Sequence, residues 1–194
     1  ITPEENRHYL SIALRQGHKV RHLSQQLFEL ARLEHGGIKP QRERFAIGEL
    51  IQDVAQKFDL PVATRHLQLH LDVMGPLPLV NADLSMMERV VTNLLDNAIR
   101  HTPDGGDVWL KIWRDEDRLV AEVQDSGPGV EMGVREVLFQ RPTALTPREQ
   151  RGGLGLLIVR RMLELHGGDI NLVNSTAGAC FRFWLPLTDS PYIG

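Results

Sequence analysis

The stretch from Glu4 to Glu34 most constrains the fold of this chain, because it holds no proline and repeats apolar residues at helical spacing. Thr2 followed by Pro3 predicts a helix start, since threonine caps the first turn and proline suits its first position. The recurring apolar residues are Tyr9, Ala13, Val20, Leu23, Leu27 and Leu30. They form a narrow stripe that one helix cannot bury alone. The stripe therefore packs either on its own domain or on a partner helix of a bundle or dimer.

Length and composition predict one domain of about 150 residues with an appendage. The chain has 194 residues, a formal net charge of −3 and a single cysteine, Cys180. These values exclude a disulfide framework and a cysteine-rich zinc site, and they predict no binding of nucleic acid. We find no apolar run long enough to span a membrane and no secretory leader. Gly36, Gly37 and Pro40 end the long helix, so we expect an appendage at 1–36 and a domain at 37–194.

Beyond this boundary, helical and alternating patterns are interspersed. Leu67 to Val73 alternates strictly between apolar and polar residues, which is typical of a half-buried strand. Helices are predicted near 48–58, from 81–83 to 103–106 and near 154–166, and further strands near 108–113, 119–123, 170–173 and 181–185. Strand pairs that resemble hairpins favour a mixed sheet covered by helices on one face. The predicted class is therefore α+β, a two-layer α/β sandwich preceded by one long helix.

The helix that begins after Asp83 carries the first chemical signal. Its apolar face is predicted from residues at helical spacing, Leu84, Met87, Val91, Leu94 and Ala98. Asn93, Asn97 and Arg100 share a different stripe. Asparagine is a poor helix former, and its amide oxygen suits a hydrated Mg²⁺ bound with a nucleotide, whose phosphates Arg100 would neutralise. Taken alone, the pair is more typical of a solvated surface, because exposed polar residues are common.

Two glycine-rich turns add a second signal. Asp125 to Gly129 follows a predicted strand, and Gly152 to Leu156 opens a predicted helix. Glycine lets the backbone approach a ligand closely, and a helix N-terminus offers free N–H groups to phosphates. Each cluster alone also fits a tight turn. Their order and spacing together predict a nucleotide-binding cleft.

In these segments the chain resembles the sensor histidine kinases of two-component systems. Residues 93–102 resemble the N box of that family, 125–129 its G1 box, Phe139 the anchor of its F box, and 153–156 its G2 box. Residues 27–34 resemble the end of the second helix of the dimerisation and phosphotransfer hairpin. The resemblance implies the Bergerat-type ATP-binding fold shared with gyrase, heat-shock chaperones and mismatch-repair ATPases.

The resemblance also implies roles for individual residues. Asp125 would accept a hydrogen bond from the adenine amine, Asn97 would ligate Mg²⁺, and Asn93 and Arg100 would place the phosphates for catalysis. The other residues implied in binding ATP are His101, Gly127, Gly129, Gly153, Leu154, Gly155 and Leu156. Residues 131–151 would form a lid, with Arg141, Arg148 and Arg151 as candidate phosphate contacts. Two departures, Gln140 to Pro142 after Phe139 and Arg151 to Gly152 before the G2 box, predict weaker binding than is usual for the family.

Asn93 separates activities within this superfamily. Its hydrolytic members carry a glutamate there as general base, and an amide cannot serve in that role. None of the eight histidines has the setting of the family's phosphoacceptor, so we predict that the chain binds ATP without phosphorylating itself.

The resemblance implies two partners. One is a second copy of the chain, bound through the helical hairpin, and the other is the receiver domain of a response regulator. The resemblance also implies the cytoplasmic part of a bacterial inner-membrane sensor. A hydrolytic ATPase and a degenerate nucleotide-binding or dimerisation module remain alternatives.

Overall fold

The computed structural model describes residues 2–135, 138–139 and 153–187 of the chain. These residues form a long N-terminal helix, a two-stranded sheet, and a five-stranded sheet with helices on one face. The helices are α1 (Pro3–Glu34), α2 (Ile47–Gln56), α3 (Asp59–Thr64), α4 (Leu84–His101), α5 (Met132–Arg135) and α6 (Gly153–Glu164). The strands are β1 (Arg42–Phe45), β2 (Gln68–Met74), β3 (Val80–Asp83), β4 (Asp107–Asp115), β5 (Arg118–Asp125), β6 (Asp169–Val173) and β7 (Cys180–Pro186). The predicted α+β sandwich behind one long helix is confirmed. Across the described residues, no helix is long and apolar enough to cross a membrane.

Helix α1 begins where the sequence predicts. The Thr2 hydroxyl accepts a hydrogen bond from the Glu5 N–H at 3.2 Å, and the Glu5 carboxylate accepts one from the Thr2 N–H at 2.7 Å. This capping box satisfies two donors of the first turn. Only the last turns of α1 are covered, because Leu30 and Leu33 pack into the core beside α6. The earlier stripe lies open, and its exposed members are Tyr9, Val20, Leu23 and Leu27.

The large sheet has the strand order β2-β4-β5-β7-β6. Its β2–β4 pair is parallel and the other pairs are antiparallel, which confirms the predicted mixed sheet. The sequence analysis missed α3 and the antiparallel β1–β3 pair. Strands β1 and β3 have four residues each, so neither is long enough to show an alternating pattern.

Helices α2, α4 and α6 cover one face of the sheet. The predicted face of α4 is buried at Met87, Val91, Leu94 and Ala98, but Leu84 is 37% exposed. Leu84 is the first residue of the helix and lines an open groove between α2 and α4, which explains its exposure. The buried face also includes Met86, Val90, Leu95 and Ile99, because α4 contacts the sheet and both neighbouring helices.

A buried histidine joins the two central helices. His166, 3% exposed, follows α6 and contacts the Met162 carbonyl through Nδ1 at 2.7 Å. Its Nε2 accepts a hydrogen bond from the Asp83 N–H at 3.0 Å, which fixes the neutral tautomer with the proton on Nδ1. Asp83 in turn caps α4 by accepting from the Met86 N–H at 3.0 Å. Burial lowers the pKa of His166, and the Arg42 charge lowers it further, whereas the Met162 bond and the Asp83 charge raise it.

We predict that this junction makes folding sensitive to acid. Because the pKa of His166 is lower in the folded chain, the unfolded chain binds the proton first, and stability falls as the pH drops below the unfolded value of about 6.5. His166→Asn should destabilise the fold by about 1–3 kcal/mol at neutral pH, since the Asp83 N–H loses its acceptor. The variant should also lose less stability than wild type between about pH 7.5 and pH 5.5.

Urea unfolding at both pH values measures this effect. His8→Asn, which replaces an exposed histidine on α1, is the matched control and should keep the wild-type pH dependence. An identical pH dependence in His166→Asn and wild type would contradict the assignment.

Candidate functional site

Asp125 ends β5 and is the most deeply buried acid of the candidate site, with 2% exposure. Its Oδ1 accepts hydrogen bonds from the Gly127 N–H at 2.8 Å and from the Ala179 N–H at 3.2 Å. Burial raises the pKa of Asp125, while the bonds from Ala179 and Gly127 and the nearby His101 oppose that rise. Its Oδ2 accepts no hydrogen bond from the described residues. The second oxygen is therefore available to a ligand.

Glycines let three backbone segments meet at Asp125. A Cβ on Gly178 would stand 1.9 Å from the Asp125 carbonyl oxygen, and one on Gly127 would stand 2.4 Å from the His101 carbonyl oxygen. Gly178 also has a positive φ of 64°. Gly129 lies against the carbonyl of Gly178. The turn after β5, the end of α4 and the turn before β7 thus approach at distances that side chains would prevent.

Helix α4 presents the predicted polar stripe beside this turn. Asn93 and Asn97 are half-buried, and the Asn93 Nδ2 is buried without a hydrogen-bond partner among the described residues. Arg100 is exposed and forms an ion pair with Asp96, one turn earlier. His101 is the last residue of the helix. The two amides are therefore partly shielded from solvent, whereas the guanidinium of Arg100 lies at the surface in its ion pair with Asp96.

The end of α4 is held in place by Arg65. Its guanidinium donates to the Ile99 carbonyl at 2.5 Å, to the Thr102 carbonyl at 2.7 Å and to the Asp104 carboxylate at 2.8 Å. Carbonyls at a helix C-terminus lack partners within the helix, and a cation there is favourable. Arg65 thus fixes the segment that His101 belongs to.

The G2-box residues open α6. Gly153 begins the helix, Leu154 is half-buried against the core, and Leu156 is buried within it. Gly155 faces α1, where the Gln26 side-chain nitrogen lies 3.6 Å from the place a Cβ would take. Phe139 packs edge-on against Phe181 with ring centroids 6.3 Å apart. The predicted lid contacts Arg141, Arg148 and Arg151, together with Gly152 and the segment Gln140 to Pro142, lie outside the described residues.

The structure brings Asp125, Gly127, Gly129 and His101 together, and it adds contributors that the sequence analysis missed. Ala179 binds Asp125 through its backbone N–H, which leaves no signature in a sequence. Gln26 does not interrupt the apolar spacing of α1, and it is distant in sequence from the G2-box residues 153–156. The sequence therefore gives no sign that the two are neighbours. No group of three or more metal-ligating His, Cys, Asp or Glu side chains occurs in the part of the chain that the structure describes. A metal ion here would need amide oxygens and ligands from a bound nucleotide.

Comparison with known proteins agrees with this geometry. The sequence profile of the histidine kinase-, DNA gyrase B-, and HSP90-like ATPases matches residues 82–189. The circadian input-output histidine kinase CikA of Synechococcus elongatus is 29% identical over 190 residues, which cover 94% of this chain and 25% of CikA. The chain thus spans about a quarter of the length of this curated relative.

Solved structures share the fold. Full-length ShkA in complex with AMPPNP superposes with a TM-score of 0.80 at 26% identity, and the match covers 96% of this chain and 40% of ShkA. The nucleotide-free catalytic domain of the histidine kinase ThkA superposes with a TM-score of 0.69 at 26% identity, over 76% of this chain and 97% of that domain. The long helix and the sandwich therefore both have counterparts in ShkA.

We predict that Gly178 is required for the close approach at Asp125. Gly178→Ala should cost more than about 3 kcal/mol of stability, because it adds a clash with the Asp125 backbone to the strain of a positive φ. Gly105→Ala is the matched control: Gly105 has a φ of 80° but open space around it. Gly105→Ala should lower the free energy of unfolding by only about 1–2 kcal/mol, because it introduces the strain of a positive φ without a clash. Chemical unfolding of both variants measures the difference, and equal losses would contradict the prediction.

Proposed function

Because the chain belongs to the family of histidine kinase-, DNA gyrase B-, and HSP90-like ATPases and carries an ATP-binding catalytic domain of the histidine kinase type, we propose that it transfers the γ-phosphoryl group of ATP to a histidine. The acceptor histidine lies on another segment or chain, and the phosphoryl group then passes to an aspartate of a response regulator. The observation that carries the proposal is the buried carboxylate of Asp125 with an unused oxygen, at the meeting point of α4, β5 and β7.

Asp125 would recognise adenine. Its Oδ1 is held by two backbone N–H groups, which orients the carboxylate and leaves Oδ2 to accept from the exocyclic amine. A charged acceptor makes such a bond worth about 1.5–3 kcal/mol. Guanine has a carbonyl at this place, so the carboxylate would repel it. His101, at the end of α4, would lie along the base or sugar, and the turns at Gly127 and Gly129 would let the base approach the backbone.

The amides of α4 fit a magnesium ion held mainly by phosphate. The buried Asn93 Nδ2 lacks a partner among the described residues, as expected of a group that awaits a ligand. Asn97 would offer its side-chain oxygen to Mg²⁺, which when bound would neutralise charge on the phosphates. Asn93 and Arg100 would position the phosphates. The backbone of Gly153 to Leu156 would add N–H donors at the start of α6, and the buried side chain of Leu156 would anchor that turn in the core.

Catalysis in this site would come from positioning and charge neutralisation. An amide at Asn93 cannot remove a proton from water, so the γ-phosphoryl group would survive until an imidazole nitrogen attacks it in line. The P–O bond to the β-phosphate would break as the N–P bond forms, and ADP would leave. An amide at this position thus favours transfer of the phosphoryl group over hydrolysis of ATP.

Several features of the whole protein follow from the same proposal. We assign residues 1–36 to the second helix of a dimerisation and phosphotransfer hairpin, and residues 37–194 to the catalytic domain. The open stripe on α1 supports pairing with further helices, in a homodimer of the longer protein. We further propose that the chain is the cytoplasmic part of a membrane-bound bacterial sensor, which the resemblance to sensor kinases supports.

We predict that Asp125→Asn changes base selectivity without unfolding the chain. The asparagine Oδ1 keeps the bonds from Gly127 and Ala179, whereas Nδ2 replaces the free oxygen with a donor that faces the donor of adenine. ATP affinity should fall at least about tenfold, and the ratio of ATP to GTP affinity should fall further, because guanine offers an acceptor. Thermal stability should be retained, since a buried charge is removed and no hydrogen bond is lost.

Isothermal titration with ATP and GTP, together with thermal unfolding, measures these effects. Asp72→Asn, at an exposed position of β2, is the matched control and should bind ATP like wild type. Unchanged ATP affinity in Asp125→Asn would refute the role of this carboxylate.

We predict that the chain binds ATP and Mg²⁺ but incorporates no acid-labile phosphate when incubated with ATP labelled at the γ-position. The resemblance implies a phosphoacceptor histidine that is followed by an acid and, a few residues on, by a proline, and none of the eight histidines has this setting. Steady-state turnover should be slow, and Asn93→Asp, which places a carboxylate at this position, should hydrolyse ATP faster than wild type. Labelled histidine in the wild-type chain, or turnover unaffected by Asn93→Asp, would overturn this view of the site.

A further inference from the structure

Gln26 of α1 is one of the buried polar residues of the fold, with an exposure of 7%. Its amide forms no hydrogen bond with another described residue. The side-chain nitrogen lies 3.6 Å from the place where a Cβ on Gly155 would stand. Gly155 belongs to the first turn of α6, a helix of 12 residues. A residue that is more than nine-tenths buried thus places its amide nitrogen beside the first turn of α6, whose free N–H groups are a place where a phosphate would bind.

The contacts between the two helices fix their relative direction. Gln26 lies beside Gly155, and the Leu33 carbonyl lies 3.5 Å from Nε of Arg161. Leu33 follows Gln26 by seven residues on α1, and Arg161 follows Gly155 by six residues on α6. Because the later residue of one helix lies beside the later residue of the other, the two helices run in the same direction. At a rise of about 1.5 Å per residue, these intervals span about 10 Å on each helix. The part of α1 before Gln26 therefore extends past the N-terminus of α6.

That part of α1 carries nitrogen donors on the same face. His22 and Lys19 precede Gln26 by four and seven residues, which places them on one stripe with it. Both are exposed. Residues 6–28 contain no aspartate or glutamate. No acidic side chain of this part of α1 offsets the charge of Lys19, so an anion that extends past the start of α6 would be attracted to it.

We propose that α1 completes the phosphate end of the nucleotide site, with the Gln26 amide donating to the terminal phosphoryl group and Lys19 and His22 lying beyond it. This inference rests on the proposed function, because it assumes that a nucleoside triphosphate binds at the start of α6. It makes α1 a part of the binding site as well as a structural support. A diphosphate, which ends earlier, gains little from these groups, so α1 distinguishes ATP from ADP.

Isothermal titration of the chain with Mg·ATP, Mg·ADP and adenosine tests the proposal. Gln26→Ala should lower ATP affinity about tenfold, as expected for a lost hydrogen bond to a charged group, while ADP affinity changes less than about twofold. Gln26→Glu should weaken ATP binding more than Gln26→Ala, because it turns a donor into an anion. Gln25→Ala, at the exposed neighbouring position, is the matched control and should bind all three ligands like wild type.

Thermal unfolding establishes that the variants fold, and Lys19→Gln tests the charges beyond Gln26. Its ATP affinity should fall at low ionic strength and approach that of wild type at about 1 M salt, where the Debye length is about 3 Å. If Gln26→Ala weakens ATP and ADP equally, or weakens neither, the inference is overturned while the proposed function stands. If wild type binds none of the three ligands, the proposed function fails and this inference with it.

Discussion

The structure depends on the contact between the Asp125 carboxylate and the backbone of two neighbouring turns. A carboxylate at 2% exposure would be costly if it lacked partners, and its Oδ1 receives N–H groups from Gly127 and Ala179. These bonds draw together the end of β5 and the start of β7, and Gly178 makes room for the approach. The same desolvation that raises the pKa of Asp125 would strengthen any hydrogen bond that its second oxygen accepts. The Asp125 carboxylate thus joins two turns of the fold and is also the group that would recognise the ligand.

Elements with long periodic patterns could be predicted from the sequence. The capped start of α1, the helical spacing in α4 and the alternation in β2, β4 and β5 each follow from local residue choice. The class of the fold followed from the order of these elements. In the candidate site, the sequence identified Asp125 and the glycines because close backbone approach restricts the residue type. Asn93 and Asn97 were identified because asparagine is unfavourable within a helix.

Contacts between distant segments could not be predicted in this way. His166 and Asp83 are separated by 83 residues, and nothing in either local sequence indicates that one accepts from the other. The β1–β3 pair has four residues in each strand and is too short to show a pattern. Leu84 fits the apolar period of α4 but starts the helix at an open groove. Gln26 has a recognisable place only once α1 and α6 lie side by side.

The outer face of the large sheet holds all three tryptophans of the chain, Trp109, Trp113 and Trp184. Arg118 lies 4.2 Å from the ring centroid of Trp184, and His70 stacks on Trp109 at 5.6 Å. Asp125 and the helices lie at the end and on the opposite face of this sheet. Intrinsic indole fluorescence will consequently follow the integrity of the sheet and stay insensitive to nucleotide. Occupancy of the cleft needs an optical reporter of its own, such as a fluorescent adenine analogue.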